Sequence, residues 1–246
     1  MRFFIFSAFL VFAINSSGQT ASEVIKKADE KMRGKTSQAS MIIKTVRPSW
    51  SREMKVKAWM KGTDWAMLLL QSPPKEKGIV FLKRKKEVWN WMPALERNIK
   101  LPPSMMSQSW MGTDFTNDDL VKESSIVNEY SHRMLADTVI DGKICYRIEC
   151  IPKPETAVVW SRLLLCIDKK DFLDLYAEFY DDEGSLVNYM KAGDVKMMDG
   201  RLIPTRILMF PADKKNQRTE IIYESIRFDL EIPDNFFTLE NMKKLN

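Results

Sequence analysis

KGIVFLKRKKEVWNWMPALERNIKLPPSMMSQSWMGTDFTNDDL, residues 77–120, decides how the rest of the chain is read. Two strand-like runs, Ile79–Lys83 and Val88–Met92, are joined by the charged turn Lys83–Glu87, and Glu96–Leu101 reads as a further strand. The stretch then becomes irregular while staying apolar. Trp89, Trp91 and Trp110 lie in it with Met92, Met105, Met106 and Met111, beside Pro102, Pro103, Ser104 and Gly112, which interrupt regular structure. Exposed loops do not normally carry so much apolar surface. The segment therefore either folds back over a core or covers a cavity that something apolar enters.

Upstream, residues 20–34 read as one helix. Thr20 and Glu23 make a capping box, Gly34 is a stop, and Val24, Ile25, Ala28 and Met32 share a face. From Gln38 the period changes to two. Met54, Val56, Ala58 and Met60 fall on one face, and Lys55, Lys57 and Lys61 on the other, as in a half-buried antiparallel strand. Trp65–Leu70 is apolar on both faces and ends at Ser72-Pro73-Pro74. Downstream of the irregular segment, strands are predicted over Ser131–Ile140, Lys143–Ile151, Trp160–Ile167, Phe172–Tyr180, Leu186–Met197, Leu202–Phe210 and Thr219–Phe228. Asp141-Gly142, Glu183-Gly184 and Asp199-Gly200 supply hairpin turns. Pro204 predicts an edge or bulge within its strand, and the C-terminal residues close in a short amphipathic turn. About a dozen strands after one helix define a mainly β (α+β) fold. A sheet this large curves, and its concave face must be filled by side chains, helices or a ligand.

The first residues, Met1-Arg2, an apolar run from Phe3 to Ile14 and a small-residue site ending at Gly18, read as a secretory signal. The expected division is a signal peptide over residues 1–18 and a single domain over 19–246, exported to the periplasm and monomeric. Removing residues 1–18 takes away Arg2 and lowers the formal net charge from +5 to +4, mild basicity that does not indicate a nucleic-acid binder. The 3 cysteines leave at least one free thiol in an exported protein. If the hairpin carrying them centres near Glu155–Thr156, Cys145 falls opposite Cys166 and a cross-strand disulfide is open to them. Buried free thiols are the alternative.

Catalytic chemistry is poorly supplied. The chain has 1 histidine, His132, expected on the solvent side of a strand. No HExxH, CxxC, GxSxG or glycine-rich phosphate loop appears. Asp118-Asp119 and Asp181-Asp182 read as solvated turn acids. The expectation is a protein that is not an enzyme and carries no metal or cofactor. What is in surplus is methionine, 16 in 246 residues, a flexible and polarisable side chain suited to varied apolar ligands.

Lys77-Gly78-Ile79-Val80-Phe81-Leu82, Trp89-Asn90-Trp91-Met92-Pro93, and Ser109-Trp110-Met111-Gly112-Thr113-Asp114-Phe115 running on to Asp118-Asp119-Leu120 resemble the outer-membrane lipoprotein-sorting protein family, the LolA-like periplasmic carriers. Gly200-Arg201-Leu202-Ile203-Pro204-Thr205 fits a later motif of that family. Arg97-Asn98-Ile99-Lys100 departs from it, because two adjacent arginines are expected there. The resemblance implies an incomplete antiparallel β-barrel closed by helices. It also implies carriage of an acylated lipoprotein or lipid between membranes, with an inner-membrane exporter and an outer-membrane acceptor as partners.

By strand parity Trp65, Met67 and Leu69 share a face, as do Trp89 and Trp91. These five with Phe81 are expected to line the apolar cavity. Met105, Met106, Trp110 and Met111, in the segment 102–113, and the helix 20–34 are expected to form its lid. By analogy alone, Arg97 is assigned to hydrogen-bonding of the lid backbone. The alternatives are a non-transporting sensor or accessory module for a membrane exporter or envelope-stress system, and an enzyme with a polar cluster inside the cavity.

Overall fold

The structure is a computed structural model that describes residues 18–122 and 126–245. The expected signal segment therefore lies, apart from Gly18, outside the described residues. Helix α1 spans Ala21–Arg33. Its capping box forms as the sequence requires: Glu23 N–H donates to Thr20 Oγ1 at 3.3 Å, and Thr20 N–H to Glu23 Oε2 at 2.9 Å. Gly34 ends the helix at φ 65°, a left-handed backbone that glycine adopts without steric penalty.

A meander follows: β1 (Thr36–Val46), β2 (Ser51–Lys61), β3 (Trp65–Ser72), β4 (Val80–Arg84), β5 (Glu87–Met92) and β6 (Arg97–Leu101). A segment of short turns spans 102–122 before α2 (Ile126–Glu129). Strands resume with β7 (Tyr130–Met134), β8 (Thr138–Ile140), β9 (Lys143–Pro152), β10 (Arg162–Asp168) and β11 (Asp174–Tyr180). The meander finishes with β12 (Leu186–Met198), β13 (Arg201–Pro211) and β14 (Arg218–Phe228), and α3 (Leu239–Lys244) ends the chain. The expected strand 131–140 is broken in two, and β8 pairs only with β9.

The 14 strands of the described residues join one antiparallel sheet in the order β6-β5-β4-β3-β2-β1-β14-β13-β12-β11-β10-β9-β7, with β8 attached to β9 off this path. The first and last strands meet in its middle, and β6 and β7, from mid-chain, form its edges. The edges do not pair with each other among the described residues, so the curved sheet is an unclosed barrel. Pro204 pairs with Val195 on β12, while β13–β14 pairing runs only from Arg206 to Met209. At Pro204, then, β13 is locally an edge, where a missing N–H is harmless.

One face of the sheet gathers Ile43, Met54, Val56, Leu68, Leu70, Phe81, Ile203 and Met209 into a single apolar cluster with Met106, Trp110 and Phe115 of the 102–122 segment. Strands from both halves contribute to this cluster, so the sheet curls about this inner face. Under α1 the lining continues as Tyr130, Ile148, Cys150, Leu163, Leu165 and Ile167 against Val24 and Ile25. The outer face of β2–β5 carries Trp59, Met67, Leu69, Val80 and Leu82, covered by Ile232, Phe237 and Met242 of the C-terminal segment. Each fully buried side chain of this size contributes about 1.5–3 kcal/mol.

Cys145, Cys150 and Cys166 are free and buried. The β9–β10 register sets Cys145 against Asp168 and Cys166 against Arg147. The disulfide alternative fails because the hairpin centre lies one residue beyond the one it needed, which moves each cross-strand partner by two.

Candidate functional site

The inner face and the segment that closes it make the candidate site. Trp110 is wholly buried, its ring centroid 5.6 Å from that of Phe81 on β4. Met106 and Phe115 are buried beside it, and Met105 and Met111 pack at the margin of the same cluster. The four expected lid residues thus lie over the inner face. The sequence folds this way locally because Pro102 and Pro103 end β6, and Met111 and Gly112 turn the chain with φ values of 50° and 77°. Holding a methionine in the left-handed region costs on the order of 1 kcal/mol.

The expected cavity lining is not brought together. Phe81 faces inward, whereas Trp65, Met67, Leu69, Trp89 and Trp91 belong to the outer face beneath the C-terminal segment. On β3 the inward residues are Ala66, Leu68 and Leu70, opposite Met60, Ala58 and Val56. Parity alone could not choose, because β3 is apolar on both faces. The signal lay next door: Lys61 pairs with Trp65 across the Gly62–Asp64 turn, so the charged face of β2 continues onto the Trp65 side.

Arg97 is exposed on β6. The 102–122 segment is held instead by Arg47 and Arg52, which flank the β1–β2 turn. Arg47 makes a two-armed pair with Asp114, Nη1 to Oδ2 and Nη2 to Oδ1 both at 3.0 Å, and Nη2 also donates to the Gly112 carbonyl at 3.2 Å. Arg52 donates to the Met111 carbonyl and pairs with Glu76 at 3.0 Å. Asp114 gathers the strands on the other side as well: Thr219 Oγ1 donates to Oδ2 at 2.7 Å, and Asn188 Nδ2 to the Asp114 carbonyl at 3.0 Å. Arg47 and Asp114 side chains are 13% and 8% exposed, dry enough for the pairing to matter. Sequence reasoning quoted Asp114 in its motif but missed these partners, which lie up to 105 residues away.

The far end of the 102–122 segment is fastened by Asp119. Its Oδ1 accepts from Trp160 Nε1 at 2.8 Å and its Oδ2 from Thr116 N–H at 2.8 Å. Burial raises the Asp119 carboxyl to about 6, the adjacent Asp118 adding a smaller push and the Trp160 and Thr116 hydrogen bonds opposing it. Asp118 is itself buried, so this pair is structural rather than solvated. His132 also turns inward: Nε2 meets the Ile126 carbonyl at 2.8 Å and Nδ1 the Ser22 hydroxyl at 2.9 Å, tying β7 to α1. A carbonyl can only accept, so Nε2 donates to Ile126.

Two further features bear on the chemistry. The indole N–H of Trp110 is buried without an acceptor, which costs roughly 1–3 kcal/mol. A recess of about 550 Å³ opens at the lid's edge, lined by Thr113, Phe115, Thr116, Trp160, Leu186 and Val187 among others. The described residues contain no cluster of three or more His, Cys, Asp or Glu able to hold a metal, and no helix among them is long and apolar enough to cross a membrane.

A family model described as an uncharacterized protein matches residues 62–244, and the chain belongs to that family. No curated protein matches it in sequence. Among solved structures, a LolA superfamily protein from Nitrosomonas europaea has a TM-score of 0.80 at 24% identity, covering 91% of this chain and 100% of its own. A domain assigned to outer membrane lipoprotein sorting, from Vibrio parahaemolyticus, has a TM-score of 0.80 at 20% identity, covering 91% and 98%. A DUF1329 family protein from Desulfovibrio piger reaches 0.82 at 20% identity over 90% and 97%. At such identities the fold is what is shared, and the chain has the LolA-like fold that its motifs resemble.

Proposed function

We propose that the protein is an exported periplasmic carrier that holds an acylated ligand, a lipid-modified protein or a lipid, against the inner face of its sheet once the lid has moved. One observation carries the reading. An apolar face spanning both halves of the sheet is plugged by a segment whose own fastening is polar. Apolar side chains of the plug can be replaced by an acyl chain with little loss, while the Arg47–Asp114 clasp sets how readily the plug leaves. Lid release also frees the Trp110 N–H to find water. An acyl chain in water costs about 0.8 kcal/mol per CH₂, so methionine-rich burial supplies the affinity and many weak contacts keep it reversible. The partners on this reading are an inner-membrane donor and an outer-membrane acceptor.

The test is native mass spectrometry of protein purified from a periplasm, with titration of a fluorescent fatty acid. Co-purifying acyl species and saturable probe binding are expected; finding neither sinks the proposal. A second reading, a sensor or accessory module on the same fold, is favoured by the closeness of the inner packing, where Trp110 is wholly buried. It predicts that the probe does not bind and that a membrane-protein partner is recovered in a pull-down.

A further inference from the structure

The face turned away from the lid sets its tryptophans among cations. Register places Arg84 opposite Trp65, Lys100 opposite Trp89 and Asn98 opposite Trp91, so these side chains share the outer side of β3–β6. The Arg84 guanidinium lies 5.7 Å from the Trp65 ring centroid, Lys100 Nζ 5.4 Å from that of Trp89, and Lys243 Nζ 5.5 Å from that of Trp91. All three tryptophans are half-buried, packed against the cluster around Phe237. Lys85 and Lys86 extend the positive charge around the β4–β5 turn, and Lys244 along α3; all three are exposed. The acids nearby are fewer. Glu87 pairs with Lys100, Glu240 with Lys244 at 2.6 Å and Asp234 with Lys61 at 2.5 Å, and Asp64 and Glu96 sit exposed on the adjoining turns. Leu95, 55% exposed, stands on the β5–β6 turn beside this group.

We propose that this outer surface docks the protein on a bilayer with anionic headgroups. Half-buried indoles interleaved with Lys and Arg match the polar–apolar boundary of a membrane. The cations come from a hairpin, an edge strand and a terminal helix, and so form a broad array rather than a groove that would track one extended polyanion. Each Lys or Arg near an anionic surface strengthens partitioning by about fivefold. The site lies on the opposite side of the sheet from the lid, so docking and acyl binding are separable.

The experiment is sedimentation of the purified protein with vesicles of phosphatidylcholine alone or mixed with phosphatidylglycerol, at low salt. Binding only to the phosphatidylglycerol vesicles is expected, with a blue shift of tryptophan emission. The triple variant R84Q/K85Q/K86Q, altered only at exposed side chains, should lose about a hundredfold in partitioning while keeping wild-type thermal stability and wild-type affinity for the fluorescent fatty acid. Equal binding to both vesicles, binding to neither, or an unaffected triple variant would overturn the proposal. So would capture by polyglutamate without vesicle binding, which would assign the surface to an acidic protein.

Discussion

Replacing Arg47 with Gln isolates the clasp from the apolar packing of the lid. The pair it breaks has both arms at 3.0 Å and side chains 13% and 8% exposed. Removing one partner of a buried pair costs about 3–5 kcal/mol, whereas exposed pairs are worth about 0–1 kcal/mol. Asp114 keeps the Thr219 hydroxyl at 2.7 Å, which softens the loss, so about 3 kcal/mol is the expected cost. Spent on lid closure, that shifts the closed-to-open ratio by roughly a hundredfold. Amide hydrogen exchange reads it directly: protection should fall across 105–116 and stay unchanged in β9 and β10. Asp114→Asn should do the same, and the double variant should be little worse than either single one, since both remove a single interaction. Fatty-acid probe affinity should rise as the closed state loses its advantage. If R47Q instead lowers protection evenly over the sheet, or leaves 105–116 as protected as before, the pair braces the rim and does not control the lid.

The C-terminal cover is expected to be structural: Phe237→Ala, at a wholly buried site beside Trp65, should cost about 3–5 kcal/mol in urea unfolding and leave probe affinity unchanged. Burial raises Asp174 to about 7 and Asp119 to about 6 from the ordinary 3.8, so the folded state retains these protons where the unfolded chain has lost them. Their favourable contribution is complete below about pH 4 and is lost as pH rises through 6 to 7. Asp174→Asn should therefore stabilise the protein at pH 8 by on the order of 2–4 kcal/mol and by little at pH 4, checked by thermal melts across that range. Burial also pushes Cys150 and Cys166 up to about 12, so a thiol reagent should find no reactive group in the native protein and 3 in denaturant; a lower count in denaturant would reveal a disulfide.

Local signals read well because local physics decides them. Thr20, Glu23 and Gly34 delimit α1 through hydrogen bonds and dihedrals that need no tertiary partner, and the Lys-alternating strand around Met54–Met60 declares its own buried face. Orientation failed where a strand is buried on both sides: Trp65, Met67 and Leu69 are as apolar as Ala66, Leu68 and Leu70, and only pairing with β2 separates them. Large aromatics drew attention inward, yet here they support the C-terminal cover and the outer surface. The clasp was illegible for another reason. Arg47 and Arg52 resemble any strand-end cations until β1, β12 and β14 come together around Asp114, and only tertiary closure makes them adjacent. Asp118 and Asp119 were misread likewise, since two carboxylates beside a turn give no hint that Trp160 will bury and bond one of them.

The edges β6 and β7 lie at opposite ends of the sheet order, yet they are consecutive along the chain, and the polypeptide that leaves one must arrive at the other. The described part of that passage, 102–122, lies over the inner face. It is thus a bridge moored on both banks rather than a flap swinging from one hinge. Severing the chain near Gln108 would leave two meanders joined in the sheet only along β1 and β14.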